Sequence, residues 1–326
     1  MIAHLVPAID RVGRNRRPGQ RGGTRRHRRV ALRVAAALLS LAALAGLPAC
    51  SDADGAGERP IKIYVGGDDY RDVLDYVRSS GLVGNVTFKL LDAGADANAL
   101  VAAGRGDLAF HQPLPAFLAE QQEASGEALQ VVSRVTVAPY AIYSSKWKDL
   151  NETASRINSS LVPDTVVGDS LPHGSKVVLP DTPAGFARGL YLLQAAGLLK
   201  LDRAFGGTGI EDLSVNRDNV LETPRHVAID GLDLGLAADI YRSFDAVVLD
   251  PRTAARIGLV PSRDALAIEA GLDNPYARVL VAPARLAGDA RVLELARALE
   301  SPQVAAFLAN KYRGTLISAR TPHQQR

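Results

Sequence analysis

The chain has 326 residues, 47% of them hydrophobic and 22% charged, which is enough apolar material for one large or two medium domains. Its formal charge of +3 is unevenly distributed: residues 1–49 hold ten arginines and one acid, so they contribute +9 and leave −6 for the remainder. A mildly acidic body gives no reason to expect nucleic acid as a partner, and the single cysteine, Cys50, excludes an internal disulfide.

The N-terminal segment is typical of an export signal. Its arginine-rich part ends at Arg33, and the apolar run over residues 34–47 is about fourteen residues long, too short for a membrane span but suitable for a signal core. Cys50 follows, preceded by a small residue, as at a bacterial lipoprotein cleavage and lipidation site. We therefore predict a lipoprotein signal peptide over residues 1–49 and a lipidated, flexible tether over residues 50–60. Plain secretion with an incidental cysteine is the alternative, and the arginine pairs of the leader raise a twin-arginine export route.

From residue 61 onward, strand and helix patterns alternate. Apolar runs predict strands over 61–65, 86–91 and 108–110, and helical periodicity predicts helices over 70–80, 97–103 and 115–122. This alternation predicts parallel βαβ units in an open α/β sheet, in which ligands bind beyond the carboxyl ends of the strands. The loops that contain Asp68 and His111 occupy that position. Asp68 and Asp69 are either a carboxylate pair for acid/base chemistry or part of a solvated loop.

The second half of the chain is less regular. Residues 129–144 form a long run of alternating apolar residues, broken by Pro139, that is long enough to cross between two lobes. Residues 151–175 are polar, and we interpret them as a helix end followed by a surface insertion. Further strands are predicted over 227–229, 245–249 and 278–282, and further helices over 232–242, 289–300 and 302–312.

The most informative stretch is residues 176–199, which predicts a buried strand, a turn and a helix. Asp181 or Thr182 can cap the helix, and Pro183 suits its first turn because the missing N–H has no helical partner there. Arg188 lies about one turn inside the helix. A strand that leads into a helix N-terminus with a nearby arginine can bind an anion through free N–H groups, the helix dipole and the guanidinium. The alternative is an ordinary βα unit with a solvated arginine.

Motifs for several classes of enzyme are absent from the sequence. There is no phosphate-binding loop of the form Gly-x-x-x-x-Gly-Lys-Ser/Thr and no Gly-x-Ser-x-Gly nucleophile elbow. The six histidines are scattered, without a pair at metal-ligand spacing. We therefore predict no metal, no cofactor and no enzymatic activity.

Several stretches in the same order resemble the NlpA-type, methionine-binding lipoprotein family, the substrate-binding components of methionine ABC importers. The matching stretches cover about residues 60–318, and the lipidation site predicted at Cys50 precedes them. Its stretches are Phe-His-Gln-Pro at 110–113, Pro-Tyr-Ala-Ile-Tyr-Ser-Ser-Lys at 139–146, the strand–helix unit at 176–201, the segment 245–266 and Asn-Pro-Tyr at 274–276.

The resemblance implies a two-lobed α/β fold of the type II periplasmic-binding-protein kind. Each lobe would be an open, mostly parallel sheet flanked by helices, and two crossing segments would join the lobes near residues 140–148 and 243–252. Lobe 1 would comprise residues 61–143 with 251–320, and lobe 2 would comprise residues 144–250.

The resemblance also implies a ligand site in the cleft. Arg188 would hold a ligand carboxylate, Asp250 would take an amine, and His111, Tyr140 and Tyr143 would line the side-chain pocket, with Asp68 beside it. Alternatively, each tyrosine is a core aromatic with a bonded hydroxyl, and His111 is a satisfied turn residue.

The pocket positions depart from the family pattern. Gly185 and Asp250 stand where the family has asparagine, and an aspartate is a pure anion that pairs with an ammonium group but repels a second carboxylate. The remaining departures are Leu114, Arg252 and Arg278. The family assignment is accordingly firmer than methionine as the ligand.

The implied function is the lipid-anchored solute-binding component of an ABC importer, facing the extracytoplasmic side of the cell membrane and acting as a monomer. Its partners would be a small amino acid or related anion, a permease and a cytoplasmic ATPase. The alternatives are the same fold binding a sulfonate or an aromatic carboxylate, and a surface lipoprotein without a role in transport.

Overall fold

A computed structural model describes residues 59–123, 126–150 and 170–322, together with the backbone of residues 324–325. By its contacts the chain divides into Met1–Gly55 and Ala56–Arg326, and all described residues belong to the second unit. The predicted signal peptide, Cys50 and most of the tether lie outside the described residues, as do residues 151–169 of the predicted insertion. Among the described helices, none has the length and apolar character that a membrane span requires.

The described chain alternates between strands and helices. The strands are β1 (Ile61–Val65), β2 (Phe88–Asp92), β3 (Leu108–Pro113), β4 (Leu129–Val137), β5 (Ala141–Tyr143), β6 (Lys176–Pro180), β7 (Lys200–Leu201), β8 (Val220–Glu222), β9 (Ala228–Leu232), β10 (Ala246–Leu249), β11 (Ala265–Ile268), β12 (Arg278–Pro283), β13 (Ile317–Ser318) and β14 (Gln324–Gln325). The helices are α1 (Asp68–Ser79), α2 (Ala97–Ala102), α3 (Leu114–Glu123), α4 (Pro183–Ala195), α5 (Ile210–Leu213), α6 (Ala237–Ser243), α7 (Pro251–Arg256), α8 (Pro261–Asp264), α9 (Ala284–Ala287), α10 (Ala290–Leu299) and α11 (Pro302–Tyr312).

The first sheet has the strand order β13-β4-β12-β3-β1-β2 and forms, with its helices, lobe 1. Strand β1 alternates buried and more exposed residues, and α1 buries Val73, Leu74 and Val77 against the same core. Because α1 and α2 cross over between strands, β1 runs parallel to β2 and β3. Strands β12 and β13 return antiparallel to their neighbours.

The second sheet has the order β14-β11-β5-β10-β6-β9 and forms lobe 2. Strand β6 runs parallel to β9 and β10, whereas β5 and β11 pair antiparallel. The two-lobed α/β fold is confirmed. Two of the five pairings in each sheet are parallel, so the sheets are more mixed than the mostly parallel sheets expected, because each sheet also contains strands that have just crossed from the other lobe.

The boundary between the lobes differs from the expected one. Strands β5, β11 and β14 belong to the second sheet, so the chain crosses at residues 138–140, returns at residues 269–277 and crosses once more after β13. Pro139 lies at the first crossing, where it interrupts strand pairing because it has no N–H to donate. Residues 141–143 and 251–268 are therefore in lobe 2, whereas the sequence analysis assigned them to lobe 1.

Candidate ligand-binding site

The site is built around Arg188 on α4. Thr182 caps this helix by accepting a hydrogen bond from Gly185 N at 3.3 Å, and Pro183 occupies its first turn, as predicted. Small residues let the helix lie close to β6: a Cβ on Gly189 would come within 2.8 Å of the Leu179 side chain. The strand–helix unit thus holds Arg188 firmly at the crossing between the lobes.

Arg188 is paired inside the protein. Its Nε donates to Glu269 Oε1 at 3.0 Å, and its Nη2 donates to Glu269 Oε2 and to the carbonyl of Ala138, the latter at 3.0 Å. The Arg188 side chain is 11% exposed and that of Glu269 only 3%. Two charges this deeply buried are tolerated because they neutralise each other with bidentate geometry.

Two tyrosines enclose the guanidinium. Its Cζ lies 3.9 Å from the ring centroid of Tyr140 and 4.6 Å from that of Tyr276, within the range of cation–π attraction. Tyr140 N donates to Glu269 Oε2 at 3.0 Å, and Glu269 N donates to Tyr140 O at 2.9 Å. These bonds connect the crossing segments 138–140 and 269–277, so the Arg188 cluster (Arg188, Glu269, Tyr140 and Tyr276) lies where the lobes join.

Burial determines the protonation states in the cluster. Burial alone would lower the pKa of the Arg188 guanidinium, but the charge and hydrogen bonds of Glu269 outweigh it and raise that pKa. Burial raises the pKa of the Tyr276 phenol to about 12, and it also raises the pKa of Tyr140. Arg188 is therefore a cation and both tyrosines are neutral hydroxyl groups near neutral pH.

One nitrogen of Arg188 is left for a ligand. Nη1 donates to no acceptor in the described part of the chain, whereas Nε and Nη2 are occupied. Nη1 is not among the fully buried polar atoms that lack a partner, so it accounts for part of the exposed 11%. Arg188 can thus offer two N–H groups on a single nitrogen to an incoming anion.

Asp250 lies close to the same cluster and caps a helix. Its Oδ1 accepts from Arg252 N at 2.9 Å and from Thr253 N at 3.1 Å, at the start of α7. Its charge contributes, after burial and with Glu269, to the raised pKa of Tyr140. Asp250 therefore places a negative charge within electrostatic reach of the hydroxyl group on which Arg188 also acts.

His111 and Asp68 lie on the lobe 1 side: His111 is in the second half of β3, and Asp68 follows β1 at the start of α1. His111 Nε2 is 3.1 Å from Asn98 Oδ1, and Asn98 Nδ2 donates to Glu120 Oε2 at 2.7 Å. Burial lowers the pKa of His111, with the charge of Glu120 opposing it, so the imidazole is neutral near pH 7. Asp68 is exposed in the first turn of α1 and bonds to none of the described residues.

The comparisons with known proteins place this architecture in a family. The sequence model of the NlpA lipoprotein family matches residues 85–320, more than two thirds of the chain. The chain belongs to the NlpA lipoprotein family. Among its relatives, the membrane lipoprotein TpN32 of Treponema pallidum is 29% identical over 65% of this chain and 70% of its own length. The methionine-binding lipoprotein MetQ of Bacillus subtilis is 24% identical over 68% of this chain and 73% of its own length.

A solved structure supports the fold of this member of the family. The crystal structure of a YaeC-family lipoprotein from Enterococcus faecalis is 20% identical, covers 80% of this chain and 100% of its own, and superposes with a TM-score of 0.54. At this identity the likeness shows the two-lobed fold and not the ligand. In the described residues, no group of three histidine, aspartate or glutamate side chains is placed to hold a metal ion.

Two more of the predicted site residues, Tyr143 and Gly185, also lie outside the cluster and have roles in packing. Tyr143 is fully buried among apolar side chains such as Val178 and Leu249, with a hydroxyl that has no partner, so it belongs to the core of lobe 2 rather than to a pocket wall. A Cβ on Gly185 would come within 2.6 Å of Thr182 Oγ1 and 2.7 Å of the Pro180 side chain. Gly185 is a packing residue here, because any side chain would force the helix away from the strand.

Glu269 and Tyr276 were missed as site residues by the sequence analysis, which noted Tyr276 only within a stretch that resembles the family. Glu269 directly follows the fully buried run of β11, and a carboxylate at the end of such a strand is a signal that could have found it. Its partner, however, is 81 residues away along the chain. Local pattern alone does not reveal such a pair.

Proposed function

We propose that this NlpA lipoprotein is the lipid-anchored, extracytoplasmic solute-binding component of an ABC importer, and that its solute is methionine or another amino acid. The family supports the role of a binding protein, and relatives in Bacillus subtilis and Salmonella typhimurium carry the names methionine-binding and D-methionine-binding lipoprotein MetQ. Cys50 would carry the lipid, and the transport energy would come from a separate permease and ATPase.

The observation that carries the proposal is the pairing of a cationic and an anionic group around Tyr140. Arg188 is neutralised by Glu269 but keeps Nη1 for an oxyanion, and Asp250 uses one oxygen to cap α7. The other carboxylate oxygen of Asp250, Oδ2, accepts from none of the described groups, so it can accept a hydrogen bond from an ammonium group. A zwitterionic amino acid complements this arrangement because its carboxylate and ammonium groups meet opposite charges.

Because the cluster lies where the lobes join, binding of a solute there can affect closure of the lobes. Tyr140 and Glu269 belong to the crossing segments 138–140 and 269–277, and Arg188 and Asp250 project from lobe 2 elements next to them. A solute that also contacts lobe 1 would favour the closed arrangement, because those contacts form only there. The groups in the cluster would bind and orient the solute between the lobes.

Thermal unfolding of the purified protein tests the proposal. The protein, first freed of carried-over ligand, would be heated with each member of a panel of L- and D-amino acids, dipeptides and small sulfonates. A ligand that binds only the native state raises the melting temperature by mass action. We expect a shift with methionine or another amino acid, and a much smaller shift in Arg188→Lys, which keeps the charge but loses the planar guanidinium.

Arg203→Lys is the matched control, because Arg203 is a lobe 2 arginine paired on the surface with Asp202. It should leave the ligand shift unchanged. A ligand-free protein that no compound stabilises would refute the proposal and favour a lipoprotein without a transport role. A shift with sulfonates alone would keep the binding role and discard the amino acid.

A further inference from the structure

A second arginine lies in lobe 1 beside the ends of β1 and β3. Arg278 is the first residue of β12 and pairs in register with Pro113 at the end of β3. Its Cζ lies 4.4 Å from the ring centroid of Tyr70, and its Nη1 donates to Asp69. The carboxyl ends of parallel strands, where these groups meet, are the usual ligand-binding edge of an α/β sheet.

The donors of Arg278 and Arg188 are used in opposite ways. Arg188 gives its side-on edge, Nε with Nη2, to Glu269. Arg278 gives only Nη1 to Asp69, so Nε and Nη2 donate to no acceptor among the described residues. Neither nitrogen is a fully buried atom lacking a partner, and the Arg278 side chain is 18% exposed. The side-on edge of a guanidinium is the one that binds a carboxylate through two parallel hydrogen bonds.

The surroundings hold this open edge in place. Tyr70 is buried, and its ring lies against the guanidinium, while Asp69 fixes the far nitrogen. Burial raises the pKa of Tyr70 to about 12, so the ring stays uncharged. A planar cation whose orientation is fixed before binding loses less conformational entropy when it takes up its ligand.

We infer that Arg278 is the lobe 1 receptor for the carboxylate of the solute, binding it side-on through Nε and Nη2 while Arg188 contributes Nη1 from lobe 2. Tyr276 contacts Arg188, and Arg278 is two residues further along, a backbone span of at most about 7 Å. The backbone of Arg278 therefore lies, on the lobe 1 side, close to that of a residue that contacts Arg188. A carboxylate that engages both guanidinium groups is fully bound only when the lobes close. The inference rests on the proposed function. It makes Arg278, rather than Arg188, the residue that donates more hydrogen bonds to the carboxylate of the solute.

The first test needs no knowledge of the solute. Arginine Nε–H signals of the ¹⁵N-labelled wild-type protein would be followed by NMR during titration with acetate, at constant ionic strength and with acetamide as the uncharged comparison. The signal missing in Arg278→Lys is that of Arg278. We expect this signal to move saturably with acetate and not with acetamide, while the signal of Arg188, whose Nε is occupied by Glu269, moves little. An Arg278 signal that ignores acetate would overturn the inference even if the protein proves to bind a solute.

The second test uses the amino acid that gives the largest thermal shift with wild-type protein. Arg278→Lys should weaken its binding by about tenfold to a hundredfold, because two charge-assisted hydrogen bonds are replaced by one. Arg285→Lys is the matched control: Arg285 follows the opposite end of β12 and pairs with Glu127 on the surface. Binding that is unchanged in Arg278→Lys would overturn the inference and leave the proposed function standing. If no amino acid binds, the proposed function fails and the acetate titration still decides whether Arg278 receives a carboxylate.

Discussion

Replacing Glu269 by glutamine should destabilise the protein by about 3 kcal/mol. The carboxylate accepts three hydrogen bonds, from Arg188 Nε, Arg188 Nη2 and Tyr140 N, in a site where it is 3% exposed. Glutamine has nearly the same shape as glutamate but carries no charge. Its NH₂ group would replace one carboxylate oxygen and would face an N–H donor of Arg188 or Tyr140. Breaking a buried ion pair by removing one partner typically costs about 3–5 kcal/mol, and the oxygen that glutamine retains sets the lower end of that range here.

Urea unfolding followed by circular dichroism measures this cost as a shift in the unfolding midpoint. Glu222→Gln is the control, because Glu222 is 60% exposed and its pair with Lys200 should contribute less than about 1 kcal/mol. The double variant Arg188→Met/Glu269→Leu should recover most of the lost stability, since it removes both buried charges at similar volume. A loss below about 1 kcal/mol in Glu269→Gln, or a double variant as unstable as the sum of the single variants, would show that this pair is not the buried unit described.

The remaining predictions concern three other positions. Gly185→Ala should lower the free energy of unfolding by about 1–3 kcal/mol, because the added Cβ would clash with Thr182 and Pro180. Gly288→Ala is the control and should not lower it, because the space around its Cβ is open. Urea unfolding of both variants tests this prediction. Asp250→Asn should keep the helix cap and the stability but weaken amino-acid binding in calorimetry, whereas Asp250→Ala should in addition cost about 1 kcal/mol; equal binding in Asp250→Asn would contradict a role for the charge. Because burial lowers the pKa of His111, the unfolded chain binds more protons than the folded one once the pH falls below the ordinary histidine value of about 6.5. Stability should therefore fall between about pH 7 and 5, and a fall of the same size in His111→Gln would rule out this source.

The elements set by local pattern were largely predictable. The helix signals at Thr182 and Pro183, and the cap at Ser301, depend on neighbouring residues, so the sequence contains all that is needed to place α4 and α11. The sheet to which a short buried strand belongs is a different matter. Residues 141–143 and 265–268 are uniformly buried and would fit either lobe, so only the pairing of β5 with β10 and β11 assigns them.

The site was only partly predictable for the same reason. Arg188 was predicted from its place after a strand and near a helix start, and Asp250 from the family resemblance; their roles in binding stay predictions. Their partners depend on contacts between distant parts of the chain: Glu269 reaches Arg188 across 81 residues, and Asp69 reaches Arg278 across 209. Tyr143 is a different case. Its strand has only three residues, too few for an alternating pattern to show which side chains face the core, where Tyr143 lies.

Isothermal titration calorimetry with a matched pair of ligands tests carboxylate recognition most directly. The purified, ligand-free protein would be titrated with the amino acid that stabilises it most, and then with the primary amide of that compound, which keeps the ammonium group and the side chain but carries no carboxylate charge. We expect the acid to bind at least about a hundredfold more tightly, because the charge-assisted hydrogen bonds to two guanidinium groups are lost in the amide. Equal affinity for acid and amide, or binding of neither, would contradict a site organised around a carboxylate.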